Sequence, residues 1–303
     1  MAASAIAAEG ARSRAGDRPR TLLVLYAYYE ADEVSKTNLA FFARHGIGSA
    51  VARDDAVRVQ YVIVVNGACS VKLPSHRNVT VLRRANEGYD FGAYAHAVAH
   101  LGLETVCAYD YILCLNTSVR GPFMSPDARR GWAEVFTNRI VKDVKLVGTV
   151  INMLDVRSWH TAAFEAIVAK PPPFPHVQTM LFAVDSECMR FLASRGMFDP
   201  VASSADKRHV IVHREIMLSH LVLEKGWNID CLVRELSGID YRRARDESPY
   251  PKLHDVCFAG KCFGRTLHPM DIVFIKTNRD FPVDVLHSLT KAMDGVSKAS
   301  ARA

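Results

Sequence analysis

Residues 78–123 read NVTVLRRANEGYDFGAYAHAVAHLGLETVCAYDYILCLNTSVRGPF, and this stretch decides the fold. Two apolar runs of strand character, Val79–Leu82 and Tyr111–Leu115, bracket a helical run from about Phe91 to Leu103. A short polar turn follows each strand: Asn86-Glu87-Gly88-Tyr89-Asp90 after the first, Asn116-Thr117-Ser118 after the second. Ligands of open α/β sheets bind outside the carboxyl ends of the strands. The two turns are therefore expected side by side at one rim, offering amides, hydroxyls and a carboxylate to a single ligand.

Outward from this unit the alternation continues. Thr21–Ala27, Gln60–Val65, Val144–Ile151, His176–Val184, Asn228–Val233 and Ile272–Ile275 read as strands. Helices are expected over Val34–Arg44, Ala128–Ile140 (with Asp127 as its cap), Asp185–Arg195 and Val210–Lys225, the last ended by Gly226. Pro171-Pro172-Pro173 and Pro175 make a stiff loop, and residues 238–270 read mostly as loop. The pattern predicts an α/β fold with a mostly parallel sheet and helices on both faces. The expected division is a tail over 1–20, one domain over 21–285 with a nucleotide half to about 120 and an acceptor half after it, and a tail over 286–303.

Composition narrows the function. The 303 residues, 49% apolar and 23% charged, suit an ordinary globular protein. Of the net charge of +6, the first twenty and the last thirteen residues each carry +2, so the body has too little for a nucleic-acid surface. No run of about 18 apolar residues offers a membrane span, and the N-terminus lacks the apolar core of a signal peptide. The seven dispersed Cys favour buried thiols in a reducing compartment. A cytoplasmic or membrane-peripheral location is expected, with the secretory pathway left open. The set His254, Cys257, Cys262 and His268 lacks the spacing of a zinc finger and reads as buried thiols and loop histidines.

Asn86-Glu87-Gly88-Tyr89-Asp90-Phe91-Gly92-Ala93-Tyr94, followed by a strand and Asn116-Thr117-Ser118-Val119-Arg120-Gly121-Pro122-Phe123, resembles the rhamnan synthesis F family, with similarity from about Thr21 to Arg279. The resemblance implies a glycosyltransferase-A-like, Rossmann-type α/β fold and transfer of a hexose or deoxyhexose from a nucleotide-sugar donor to a glycan or other hydroxyl acceptor, with inversion. An inactive nucleotide- or sugar-binding protein of the same fold is the alternative.

The implied donor contacts are Tyr28, Glu30 and Asn66 for the base and ribose, then Asn86, Gly88, Asp90, Asn116, Thr117 and Ser118. Asp90 also fits as a cap of the Phe91 helix. Enzymes of this fold generally hold Mn²⁺ or Mg²⁺ with an Asp-x-Asp pair. Here Thr117 stands where the relatives carry the central Asp, which puts the metal in question. Arg120, Lys276 and Arg279 are the cations that would replace it, and His268 is a weaker metal candidate. Glu215 matches the general base of inverting transferases, at the start of a helix continuing to Gly226 and Trp227. Gln178 and Trp159 are the candidate acceptor contacts.

Overall fold

The computed structural model describes residues 19–47, 57–125, 128, 130–153, 155–200, 206–243 and 255–300. The candidate cap Asp127, the histidine His254 and nearly all of the expected N-terminal tail lie outside them.

Seven strands form the central sheet: β1 (Arg20–Tyr29), β2 (Val57–Asn66), β3 (Val79–Arg84), β4 (Tyr111–Asn116), β6 (Val144–Gly148), β9 (Leu181–Asp185) and β10 (Asn228–Cys231). Their order is β10-β6-β9-β4-β1-β2-β3, and β9 alone runs antiparallel to its neighbours. Two small antiparallel pairs flank it: β5 (Val119–Arg120) with β11 (Ile275–Lys276), and β7 (Ile151–Met153) with β8 (Pro175–Val177).

The main helices are α1 (Glu33–Phe42), α2 (Tyr89–Leu101), α3 (Trp132–Thr137), α4 (Trp159–Val168), α5 (Ser186–Ser194), α6 (residues 207–224) and α7 (Val283–Ser300). The crossovers β1-α1-β2 and β3-α2-β4 travel in opposite directions across the sheet. Right-handedness therefore places α1 and α2 on opposite faces, as the alternation predicts. On one face Phe42 packs on Tyr26 at 5.0 Å and on Trp132 at 5.7 Å. On the other, Phe91 and Tyr94 meet Phe182 at 6.3 and 6.0 Å. Every residue of β1 from Leu22 to Tyr28 is buried, which explains its uninterrupted apolar run.

Several expected elements are shorter or divided. The strand expected over His176–Val184 breaks at Gln178-Thr179-Met180, where the chain leaves the small sheet and enters the central one. The run Val144–Ile151 divides in the same way after Gly148, whose added Cβ would lie 2.2 Å from Val177 Cγ1. The helix expected over Ala128–Ile140 spans only Trp132–Thr137 and starts where Glu134 Oε2 accepts the Gly131 N–H at 2.9 Å. The strand expected over Ile272–Ile275 is the pair Ile275–Lys276, preceded by a short turn of helix and by Val273 at φ 65°. The segment read as a C-terminal tail carries α7, which buries Leu286 and Thr290 and sets Asp294 against Arg44 and His45.

Candidate active site

The corner between β3 and α2 shows what the two glycines of the first motif do. Gly88 (φ 66°) and Tyr89 (φ 53°) both adopt the left-handed conformation, so the chain enters the helix through a reversal. The Glu87 carbonyl then folds onto the first turn, 2.1 Å from where a Cβ on Gly92 would stand. Only a residue without a side chain fits. Tyr89, exposed and strained for a non-glycine residue, marks the rim as a place where the surroundings hold an unfavourable backbone. α2 begins at Tyr89, so Asp90 is its second residue and does not cap it. Its carboxylate instead accepts the Asn116 side-chain amide, which joins the two motifs although β1 and β2 lie between β3 and β4 in the sheet. Burial, opposed by that hydrogen bond and reinforced by the nearby charge of Glu215, pushes the Asp90 carboxyl up to about 6.

At the end of β4, Asn116 Oδ1 accepts from the Ser118 N–H (2.9 Å) and hydroxyl (2.6 Å), an Asx turn that shapes the rim. Thr117 faces inward. Its hydroxyl donates to Ala27 O and accepts from Tyr29 N, both at 3.0 Å, stitching β4 to β1. Where the sequence resemblance leads one to expect an acid, this residue is an inter-strand bridge.

The divided segment Gln178-Thr179-Met180 is the centre of the site. Met180 O accepts the Asn116 N–H at 3.1 Å. Thr179 donates its N–H (3.1 Å) and hydroxyl (2.7 Å) to Glu215 Oε2. Gln178 receives Lys276 Nζ at 3.2 Å and donates to Asp255 Oδ1 at 2.7 Å. Three consecutive residues thus tie together β4, α6 and β11, which are far apart in the chain. Glu215 sits in a π-helical turn, Ile211–Ile216, inside α6, and such turns recur at functional sites.

β11 pairs with β5, and Thr277 donates to Ser118 O through its N–H (2.8 Å) and hydroxyl (3.1 Å), which brings Lys276 to the rim. Asp255 is the residue that sequence reading missed. It accepts from Gln178, from the Cys257 N–H (3.0 Å) and from Arg279 Nε (2.8 Å). Burial alone would raise its carboxyl. Lys276, the Cys257 N–H and Arg279 together hold it below the usual range. It lies in a polar loop without periodicity, so no sequence pattern signals it.

At the far end of the rim, Tyr28 is fully buried and its hydroxyl donates to Glu30 Oε2 at 2.9 Å. Its ring is closed to a ligand; Tyr29, 47% exposed, is the ring this end presents. Glu30 is held down to about 2 by the hydroxyl and N–H of Ser70. Buried Asn66 donates to Tyr28 O at 3.3 Å and accepts from Arg84 Nη1 at 2.8 Å, which adds Arg84 to this group.

Other expected residues stand elsewhere. Asn86 is exposed on the loop before Gly88. Arg120 is buried, donating Nε to Asn38 (2.9 Å) and Nη1 to Thr290 (3.3 Å), away from any ligand at the rim. His268 accepts the Met270 N–H at 3.3 Å as a helix cap. Gln178 is 2% exposed and engaged with Asp255 and Lys276, so it orders the site rather than meeting solvent. Trp159 is 53% exposed beneath the Arg208 guanidinium, 5.3 Å from its ring centroid. Next to it, His160 has a buried Nε2 without a hydrogen-bond partner, and burial holds its imidazole below the usual range while Glu215 acts against that. Cys257 Sγ lies 3.4 Å from Gln178, and burial raises its thiol.

Among the described residues no three His, Cys, Asp or Glu side chains converge as a metal site. The turn at 116–118 itself offers amide and hydroxyl oxygens and no carboxylate; the Asp90 carboxylate beside it is bonded to the Asn116 amide. Two clefts, one beside Lys170 and Tyr241 and one beside Arg195 and His209, are lined by residues other than Asp90, Asn116 and Glu215. No helix among the described residues is long and apolar enough to cross a membrane.

The profile of the family described as rhamnan synthesis protein F matches residues 65–248, more than half of the chain. No curated protein matches. Among solved structures, one titled as the apo structure of the bifunctional glycosyltransferase WbbM is similar at 11% identity, with a TM-score of 0.33. The similarity covers 72% of this chain and 39% of that one, so this chain spans about two fifths of that structure.

Proposed function

The chain belongs to the rhamnan synthesis F family of glycosyltransferases, and from that premise we propose that it moves a hexose or deoxyhexose from a nucleotide sugar to a glycan or other hydroxyl acceptor with inversion. The observation that carries this reading is the junction at Gln178-Thr179-Met180. There the donor-side amide of Asn116, the carboxylate of Glu215 and the ammonium of Lys276 are bonded to three successive residues.

The nucleotide would lie along the ends of β1, β2 and β3, near Tyr29, Asn66 and Arg84. Its diphosphate would meet the Asn116–Ser118 turn, where Lys276 and Lys207 send positive charge toward Asp90. Arg279, paired with Asp255, acts by fixing Gln178 and Lys276 rather than as a free cation. Glu215 Oε2 is engaged by Thr179, which leaves Oε1 to take the acceptor proton. The acceptor oxygen then bonds to the anomeric carbon as the bond to the diphosphate breaks, and the nucleoside diphosphate carries away the electron pair. Trp159 and Arg208 border the acceptor side.

Release of nucleoside diphosphate from a panel of UDP-, GDP- and dTDP-sugars, with and without Mn²⁺, tests this. Release with one donor and no stimulation by Mn²⁺ is expected. A second reading, a binding protein without turnover, is favoured by Thr117 and Arg120, both withdrawn into structural bonds. Donor binding without release would establish it.

A further inference from the structure

A cleft of about 540 Å³ lies behind the helix that carries Glu215. His209, His213 and Met217 recur every four residues and share the face that lines it, while Glu215, two residues from His213 and Met217, leaves from the opposite side. The imidazoles of His209 and His213 stack with centroids 4.1 Å apart and planes at 28°. Arg214 gives one N–H to Gly196 O at 3.0 Å and keeps its other donors. Exposed Arg195, at the end of α5, forms no ion pair among the described residues. Two carboxylates approach. Asp199 reaches Arg214 with its charge, and Asp206 Oδ1 accepts the His209 N–H at 2.7 Å. Burial, then His209 and Arg214, hold the His213 imidazole below its usual range. Two guanidinium groups and two stacked imidazoles therefore line one cleft together with the side chains of Met197 and Met217, with Asp199 and Asp206 as the carboxylates nearby.

We propose that this cleft is an anion site for a phosphomonoester, its phosphate held by Arg195, Arg214 and the two imidazoles and its organic body resting on Met197 and Met217. The donor rim lies on the other side of α6, so this site stands whether or not the transfer reaction is as described above.

Titration of the full chain with sulfate, inorganic phosphate and phenyl phosphate, followed by calorimetry and by the histidine proton resonances, tests it. Saturable binding is expected, with phenyl phosphate tighter than inorganic phosphate because of the methionine wall. Sulfate stays dianionic, so its binding should tighten several-fold as pH falls below the usual histidine range and the depressed His213 imidazole takes up a proton. Arg195→Gln, a surface change that leaves folding intact, should weaken binding by about tenfold, as losing one charge-assisted hydrogen bond does. The double variant His209→Asn, His213→Asn should remove the pH trend. No saturation, or binding unchanged in all these variants, would overturn the site. Equal affinity for inorganic and phenyl phosphate would overturn the phosphomonoester assignment.

Discussion

Asp90 and Thr117 are the residues whose roles depend most on the folded surroundings. Asp90 was legible as a rim residue, but its proton affinity was not, because that comes from burial and from Glu215, distant in sequence. Its folded pKa of about 6 lies above the unfolded value, so the penalty for ionising it is absent at low pH and grows as pH rises from about 4 to about 6. Asp90→Asn keeps an acceptor for Asn116 and should stabilise the protein above that window, by on the order of 1 kcal/mol after allowing for its partial solvent exposure. Thermal unfolding across the range checks this: the gain should vanish below about pH 4, and a gain independent of pH would contradict it. Thr117 invites the substitution that restores an acid. Thr117→Asp removes the hydroxyl that donates to Ala27 O and places a carboxylate in a buried seam. It should cost about 2–3 kcal/mol without making turnover respond to Mn²⁺. Denaturant unfolding and the donor assay read both effects, and a stable, ion-stimulated variant would refute the bridging role.

Among the elements, the central strands were legible because a strand buried on both faces writes itself as an uninterrupted apolar run, as β1 and β4 do. The reading of His176–Val184 as one strand misleads, because the chain changes sheets within it. The polar pair Gln178-Thr179 interrupts the run, yet polarity alone does not say that the chain changes sheets there, and that turn holds the site together. The π-helical turn under Glu215 is hidden for a related reason: Val210–Lys225 has ordinary helical periodicity, and only tertiary packing widens one turn. Arg120 illustrates the opposite error, a charge beside a motif that packing draws into the interior against Asn38 and Thr290. The corner between β3 and α2 gives the sharpest element-level test. Gly92→Ala sets a methyl 2.1 Å from the Glu87 carbonyl, and backbone must move to admit it. A loss of about 2–3 kcal/mol is expected, with weakened donor binding because Asp90 shifts with the turn. Stability and donor affinity equal to wild type would show that the close approach is not needed.

At the scale of the whole molecule, segments from five regions of the chain meet at one rim: 88–90, 116–118, 178–180, Glu215, and Asp255 with Lys276–Arg279. Sequence motifs could name the first two and point to Glu215. They could not show that Lys276 reaches the rim through Gln178, or that Asp255 sets both. The central claim is a division of labour across this junction, with Lys276 and the Asn116 turn on the donor and Glu215 on the acceptor proton. Comparing donor dissociation constant and turnover rate in wild type, Glu215→Gln and Lys276→Ala tests it most directly. Glu215→Gln should lower turnover by about 10²–10⁴-fold while donor affinity stays within about twofold, the signature of a lost base. Lys276→Ala should weaken donor binding by roughly tenfold, as loss of one charge-assisted contact does. Turnover retained in Glu215→Gln, or donor affinity untouched in Lys276→Ala, would contradict the account.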